Sequence, residues 1–433
     1  MRRNDKPKLP RLWGEKLIIL LIFFITSLFF TNDFGLIDIQ KTAIILATSV
    51  DKEESGGYNV TAQIAVPQSS KSGGQTSAVA ISGKGATVAE AFKEINAKTG
   101  WFPKLIFCDL IVLGESVIKE NVFDCLGYFL RNEYMSDNCL LAACEGNANE
   151  LFSAQVPTDN MSALALQKIL ATEAKEAGNV STVNLKDFSV GYYAEHKSGY
   201  MPYVRILSQS QGEQDTGKGE QSFAPARRAT AKDEFIATIQ PDVAPALPVA
   251  QSGGQAEEKN TQPEEQKIFD VSQTAVFFEG KNVGILDEEK SFAMNLILNH
   301  IRQATLQIPL GEKTYALALT DVSPKIEFKI NGNTPFLNVS LKASARVNDC
   351  NEPRPLQEIV SSRTVPPEIL KEAEQILEKN LSALFEVCRA EKCDIFEVLD
   401  KLQKFEHGYH NAFKAVVLER VIPSFSVTIK DAS

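Results

Sequence analysis

Three sets of residues have types and spacing that could do chemistry. Gly83-Lys84-Gly85 lies between a strand-like and a helix-like run, where phosphate-binding loops sit. The Walker pattern, however, needs Ser or Thr directly after Gly-Lys, and the dinucleotide pattern needs a third glycine where this chain has Val88. A tight turn ahead of a capped helix accounts for the same residues. His407 and His410 form H-x-x-H, which would bring two imidazoles to one side of a helical turn. Gly408 between them disfavours a stable helix, and Glu406 is the sole neighbouring candidate for a third ligand, so the pair reads as a solvated helix end. Cys108, Cys125, Cys139, Cys144, Cys350, Cys388 and Cys393 are an odd set without CxxC, which points to neither a zinc ribbon nor a complete disulfide framework.

Cys108 and Cys139 lie in strand-like apolar runs and read as small buried hydrophobes. Cys388 and Cys393 close a predicted helix and would point about 140° apart if it continued, which is unsuited to a local bridge or metal clip. There is no G-x-S-x-G elbow and no H-E-x-x-H, and four histidines leave an acid/base enzyme little choice. Carboxylates are too numerous to single out a pair. The reading is a non-catalytic chain: no catalytic, cofactor-binding or metal-binding residue is assigned and no cofactor is expected.

The elements around these residues suggest attachment and assembly. Arg2, Arg3, Lys6, Lys8, Arg11 and Lys16 precede an apolar run made of Leu17, Ile18, Ile19, Leu20, Leu21, Ile22, Phe23, Phe24, Ile25, Leu28, Phe29 and Phe30, broken by Thr26 and Ser27. Basic residues stay cytoplasmic, so the run is a membrane anchor with everything after it outside the cytoplasm. A span needs about 20 residues, and Leu12, Trp13 and the Asn32 to Ile37 stretch extend the run imperfectly. A cleaved secretory signal is the alternative, although Leu28-Phe29-Phe30-Thr31 supplies no small-x-small site. The formal net charge of -10 provides no basic surface for nucleic acid and no overall attraction to anionic lipid.

A length of 433 residues implies two or three domains. Thr42 to Val50 and Tyr58 to Val66 read as a hairpin around Asp51 to Gly57, followed by a short strand from Ala78 to Ser82. Thr87 and Glu90 form a capping box for a helix that ends at Gly100. Leu105 to Leu113 and Asn138 to Ala143 read as strands, Val122 to Leu130, Ser162 to Lys175 and Asn184 to Ala194 as helices, and Tyr200 to Ile206 as the closing strand. Ser208 to Lys267 is rich in Gln, Gly, Ser, Pro, Ala and Glu and is predicted to be a disordered linker or a loop insertion, with local structure only at Glu234 to Ile239.

A second hairpin (Thr274 to Phe278, Val283 to Leu286) and a helix from Asp287 to about Ile301 follow. Two alternating runs, Lys325 to Ile330 and Leu337 to Ala345, predict an antiparallel pair. Pro366 to Cys388 predicts a long amphipathic helix, Asp394 to Phe405 a shorter one, and Ser424 to Ile429 a last strand joining the same sheet. The fold class is α+β: a mixed α/β multi-domain ectodomain with antiparallel sheets and a long amphipathic C-terminal helix. Its divisions are 1–31 (tail and anchor), 32–206 (N-terminal domain), 207–268 (linker or insertion) and 269–433 (C-terminal domain).

Several segments, in this order, resemble the Ger(x)C (GerAC-like) family, the C subunits of spore nutrient germinant receptors. The opening KTAIILATSVDKEESGGYNVTAQIAVPQ is similar to the family's strand, Asp-Lys turn and Y-x-V-T-x-Q-I. GKGATVAEAFKEI and PKLIFCDLIVLGESV are similar to its next helix and strand, with Arg131 where its RN falls. TAVFFEGKNVGILDEEKSFAMNLI, CDIFEVLDKLQKF and RVIPSFSVTIK resemble segments of its C-terminal region. Two features depart from the family: the first cysteine is Cys108, so no lipobox follows the apolar run, and Glu397-Val398 and Phe413 stand near the family's glycines and tryptophan.

The resemblance implies a three-domain ectodomain on the outer face of the spore inner membrane, working with multi-span A-type and B-type receptor subunits. Its role would be scaffolding or coupling germinant recognition to ion release, with membrane lipid contacted through the anchor. The alternatives are an anchored envelope assembly protein unrelated to germination and a tethered extracytoplasmic hydrolase.

Overall fold

Alternating side chains in the first strand, β1 (Thr42–Lys52), feed two cores on opposite faces of one sheet. Ala43, Ile45 and Val50 are buried on one face and Ala47 on the other; a bulge between Ile45 and Ala47 switches the parity. The computed structural model describes residues 16, 18–26, 42–66, 77–154, 156, 161–173, 178–208, 267–298, 301–351 and 364–432. The remaining strands are β2 (Tyr58–Val66), β3 (Ser77–Gly85), β4 (Phe102–Lys104), β5 (Leu110–Leu113), β6 (Leu140–Cys144), β7 (Ser198–Ser208), β8 (Lys267–Phe278) and β9 (Lys281–Leu286), then β10 (Gln303–Leu310), β11 (Lys313–Asn331), β12 (Thr334–Cys350) and β13 (Ile422–Asp431).

The helices are α1 (18–26), α2 (Val88–Thr99), α3 (Glu115–Ile118), α4 (Phe123–Leu130), α5 (Asn149–Ser153), α6 (Ser162–Lys168), α7 (Leu185–Tyr193), α8 (Glu288–Ile297), α9 (Pro367–Ala390), α10 (Val398–Phe405), α11 (His407–Phe413) and α12 (Val417–Arg420).

The first sheet runs β3-β2-β1-β5-β6-β7-β8-β9, with β4 beside β1. Its centre, β1-β5-β6-β7, is parallel and its flanks are antiparallel, so the sheet is mixed where the sequence predicts antiparallel pairing. Parallel strands need both faces covered. In β5, Ile111 and Leu113 enter the core shared with α2, α4 and α7, and Leu110 and Val112 enter the core shared with α5 and α6. The predicted strand over Leu105 to Leu113 is interrupted, because residues 105–109 leave the sheet between β4 and β5.

β7 and β8 pair along their length from Ser198↔Phe278 to Ser208↔Lys267. The chain on either side of residues 209–266 therefore lies in one sheet, and β8 and β9, which the sequence assigns to the C-terminal half, complete it. Glu234 to Ile239 lie outside the described residues.

The second sheet is β10-β11-β12-β13, antiparallel except for the parallel pair β12-β13. α9 lies across it, burying Ile369, Ala373, Leu377, Leu381, Leu384, Phe385 and Cys388. Each large side chain among them contributes roughly 1.5–3 kcal/mol. The same core takes in α8 and residues of β8 and β9, so one continuous apolar cluster joins the second sheet to the far edge of the first.

Candidate functional site

Each candidate from the sequence has a definite place. Gly83 and Gly85 lie in β3 because α2 crosses it closely: a Cβ on Gly83 would stand 2.3 Å from the Ala91 carbonyl oxygen and one on Gly85 2.6 Å from the Ala91 nitrogen. The α2 N-terminus is closed by its own residues, since the Glu90 N–H donates to Thr87 Oγ1 (3.2 Å) and the Ala86 N–H to Glu90 Oε2 (2.9 Å). All seven cysteines are free thiols and six are buried. Among the described residues no group of three or more His, Cys, Asp or Glu side chains is placed to hold a metal ion.

The H-x-x-H reading needs correction. His407 to Phe413 form α11 despite Gly408, and His410 is 8% exposed with its Nε2 against Glu195 Oε2. Burial of His410 and Phe413 overrides the local cost of a helical glycine. Of the anchor residues, Ile18, Ile19, Leu20, Leu21, Ile22, Phe23, Phe24 and Ile25 are exposed along α1. Leu17, Leu28, Phe29 and Phe30 lie outside the described residues. Among the described residues no helix is long and apolar enough to cross a membrane.

The polar side chains that converge most closely lie between the α7–β7 connection and the C-terminal helices. Asp394 is 4% exposed, and its carboxylate accepts the N–H groups of Val398 (2.9 Å) and Leu399 (2.8 Å), capping α10 from outside the helix. The sequence predicts a helix over Asp394 to Phe405, but the helix begins only at Val398. Burial raises the Asp394 carboxyl above the usual aspartate range even though two N–H donors and nearby His196 and Lys401 pull it down.

The Asp394 N–H donates to Ser198 Oγ (2.9 Å), the Ser198 hydroxyl donates to the His196 carbonyl (2.7 Å), and the Ser198 N–H donates to His196 Nδ1 (3.0 Å). His196 Nε2 then faces Asp400 Oδ2 at 3.8 Å. Adjacent Glu195 and His196 therefore each form an acid–imidazole contact with the C-terminal helices, in opposite senses. The Cys393 thiol, pushed up to about 12 by burial, donates to the Phe277 carbonyl (3.3 Å). On the other side of the seam Asn295 Nδ2 donates to the Gly178 carbonyl (2.9 Å) and Thr274 Oγ1 to Ser181 Oγ (3.0 Å).

A cleft of about 910 Å³ opens along this seam, with Asp187, His196, Arg302, Asp400 and Lys404 in its lining. The Ser-His arrangement at its edge is not a nucleophile and base, because His196 accepts the Ser198 main-chain N–H while the hydroxyl is held by two other groups. The geometry clamps the C-terminal helices to the first sheet. Glu195, His196, Ser198 and Asp400 stand in no motif of the sequence. Asp394 alone carried a signal, as the aspartate of the D-I-F segment.

The family model described as spore germination protein N-terminal domain matches residues 36–206, and the model described as spore germination B3/GerAC-like, C-terminal, matches residues 272–429. The chain belongs to the Ger(x)C (GerAC-like) spore germination family. Within it, the chain is similar to spore germination protein B3 of Bacillus subtilis (strain 168), 27% identical over 126 residues, 28% of this chain and 33% of that protein. The match thus spans about a third of that relative's length. The fold is similar to the crystal structure of the GerBC protein, with a TM-score of 0.50 at 15% identity, over 92% of this chain and 100% of that one. At that identity the likeness is one of fold.

Family segments quoted from the sequence acquire physical roles here. Asp51, in the Asp-Lys turn segment, is buried at the end of β1 and accepts the Ala148 N–H (2.7 Å) and the Asn149 N–H (3.0 Å) at the start of α5. Gln63 of the Y-x-V-T-x-Q-I segment accepts the Ala163 N–H (3.0 Å) and donates to Ser162 Oγ (3.0 Å) at the start of α6. Both side chains fasten short helices to the sheet from positions far away in sequence.

Proposed function

We propose that this protein is a non-catalytic C-type subunit of a spore nutrient germinant receptor. Residues 17–30 hold it in the spore inner membrane, with the folded part facing outward, and it scaffolds or couples multi-span A-type and B-type partners. The observation that carries this reading is the pair of family matches, N-terminal and C-terminal, in order on both halves of the chain. The seam adds support: polar side chains of both halves hold one another, so force applied to one half is transmitted to the other rather than lost in a slack joint. We further propose that the functional division follows the family models, with 32–206 and 269–433 as its two parts and 207–268 between them.

The test is genetic and physiological. Deleting the gene abolishes germination in response to the nutrients of the cognate receptor and leaves receptor-independent germination intact. Replacing residues 17–30 by a cleavable signal impairs the same response, because confinement raises the effective concentration near partners. A normal nutrient response in the deletion strain, with no paralogue present, defeats the reading.

A further inference from the structure

The two ends of β1 differ in chemistry. The chain enters β1 at Thr42, directly after the N-terminal segment, and leaves it into a turn whose Glu54, Ser55 and Gly56 are exposed. Near the entry end, Lys104 pairs with Ile44 and the Asp109 N–H donates to the Leu46 carbonyl (3.1 Å), so residues 105–108 leave the sheet and rejoin it beside the same stretch of β1. That places them within roughly 15 Å of Thr42 along the strand. Leu105 and Cys108 turn into the core, while Ile106 and Phe107 point outward at 51% and 54% exposure. Tyr134, 40% exposed, lies under the Lys104 ammonium at 4.9 Å. Val79, 45% exposed, sits two strands over, opposite Ile64, which pairs with Ile45.

Single exposed apolar residues are ordinary, but two adjacent ones on a tight turn with an aromatic and a lysine nearby mark a contact surface. The register of β1 indicates what covers it. The strand that receives the anchored segment carries this tip at its entry end, and residues 31–41 span at most about 40 Å, so the bilayer holding residues 17–30 is within reach. The exposed apolar residues of α1 suit that bilayer. Ile and Phe at the tip with Tyr134 and Lys104 at its edge suit the headgroup boundary, where aromatic rings settle and lysine amines reach back to water. Asp109 and Glu133 border the tip and are exposed, so the contact is shallow and driven by apolar burial rather than by anionic lipid.

We propose that the Ile106–Phe107 turn is a second membrane contact, a shallow one that seats the ectodomain on the bilayer in a fixed orientation. The proposal rests on the reading of residues 17–30 as a retained anchor.

The test uses the full chain, carrying Cys350→Ser because Cys350 is the cysteine that is not buried. It is reconstituted into phosphatidylcholine vesicles and labelled with a polarity-sensitive fluorophore at one of three introduced cysteines: Phe23→Cys, Phe107→Cys or Ser55→Cys. With a nitroxide on the upper acyl chain, the labels at 23 and 107 lose about half their fluorescence, as insertion by roughly 5–10 Å requires, and the label at 55 is unchanged. Quenching at 23 but not at 107 overturns the membrane tip and leaves the anchor standing. No quenching at 23 overturns the anchor and the tip with it. Quenching at all three positions means indiscriminate adsorption and also overturns the proposal. If 107 is unquenched in vesicles and becomes shielded only when membranes contain partner proteins, the tip is a protein interface and the lipid contact is refuted.

Discussion

At the scale of single residues, the seam depends most on Asp394, whose carboxylate caps α10 while its N–H is held by Ser198. Asp394→Ala removes a buried cap and leaves two helical N–H groups without acceptors, so the full chain in detergent loses about 2 kcal/mol in urea unfolding. The charge makes a separate, pH-dependent contribution. Burial raises the folded-state carboxyl above its unfolded value, so the stability attached to the protonated form is fully present below the ordinary aspartate range and is lost as pH rises through the raised folded value. Subtracting the unfolding free energy of Asp394→Asn, which does not titrate, isolates this term. The difference favours the natural protein most at low pH, declines with rising pH and then levels off, and a difference that grew with pH would refute burial as the dominant influence. Asp51 behaves in the same sense, since burial outweighs its two backbone donors.

Among the elements, glycine separates packing from local propensity. Gly83→Ala drives a methyl against the α2 backbone and lowers stability by about 1–3 kcal/mol, because main chain cannot step aside as a side chain would. Gly408→Ala in α11 meets nothing within 4 Å and raises stability by about 0.5–1 kcal/mol through helix propensity. Thermal unfolding of the two variants should therefore shift in opposite directions. The same contrast explains which elements the sequence revealed. The capping box, the helix from 88 to 99 and the long amphipathic α9 followed from local chemistry, since Thr87, Gly100 and the apolar spacing of α9 act within their own elements. β10 and the first half of β11 have no sequence expectation, although Leu306, Ile308, Leu317 and Leu319 alternate as strands do. The sequence reads His407 and His410 as a solvated helix end because the burial of His410 against Glu195 comes from a residue distant in sequence. The protection of β13 was invisible for the same reason: Glu378 and Glu374 of α9 accept the N–H groups of Val427 (2.9 Å) and Ile429 (2.8 Å), which blunts an edge otherwise open to another strand.

At the scale of the whole molecule, composition alone marks residues 208–267 as a divide, whereas strand pairing across their ends puts β7 and β8 in one sheet. The ladder from Ser198↔Phe278 to Ser208↔Lys267 is backed by Phe269, Val271 and Phe277 of β8, which enter cores shared with the first half. At roughly 1.5–3 kcal/mol for each large apolar side chain, these three alone contribute about 4.5–9 kcal/mol. Cutting the connection costs the effective concentration that it supplies, about millimolar for a tether, or roughly 4 kcal/mol at micromolar protein. Burial therefore outweighs the lost tether before the seam hydrogen bonds are counted. A site-specific protease sequence inserted between Thr230 and Ala231 should allow complete cleavage of the full chain in detergent, with both fragments eluting together on gel filtration and separating only in denaturant. Fragments that separate under native conditions would instead mean two independent domains, and would require the C-terminal part to keep β8 and β9 folded without the parallel strands beside them.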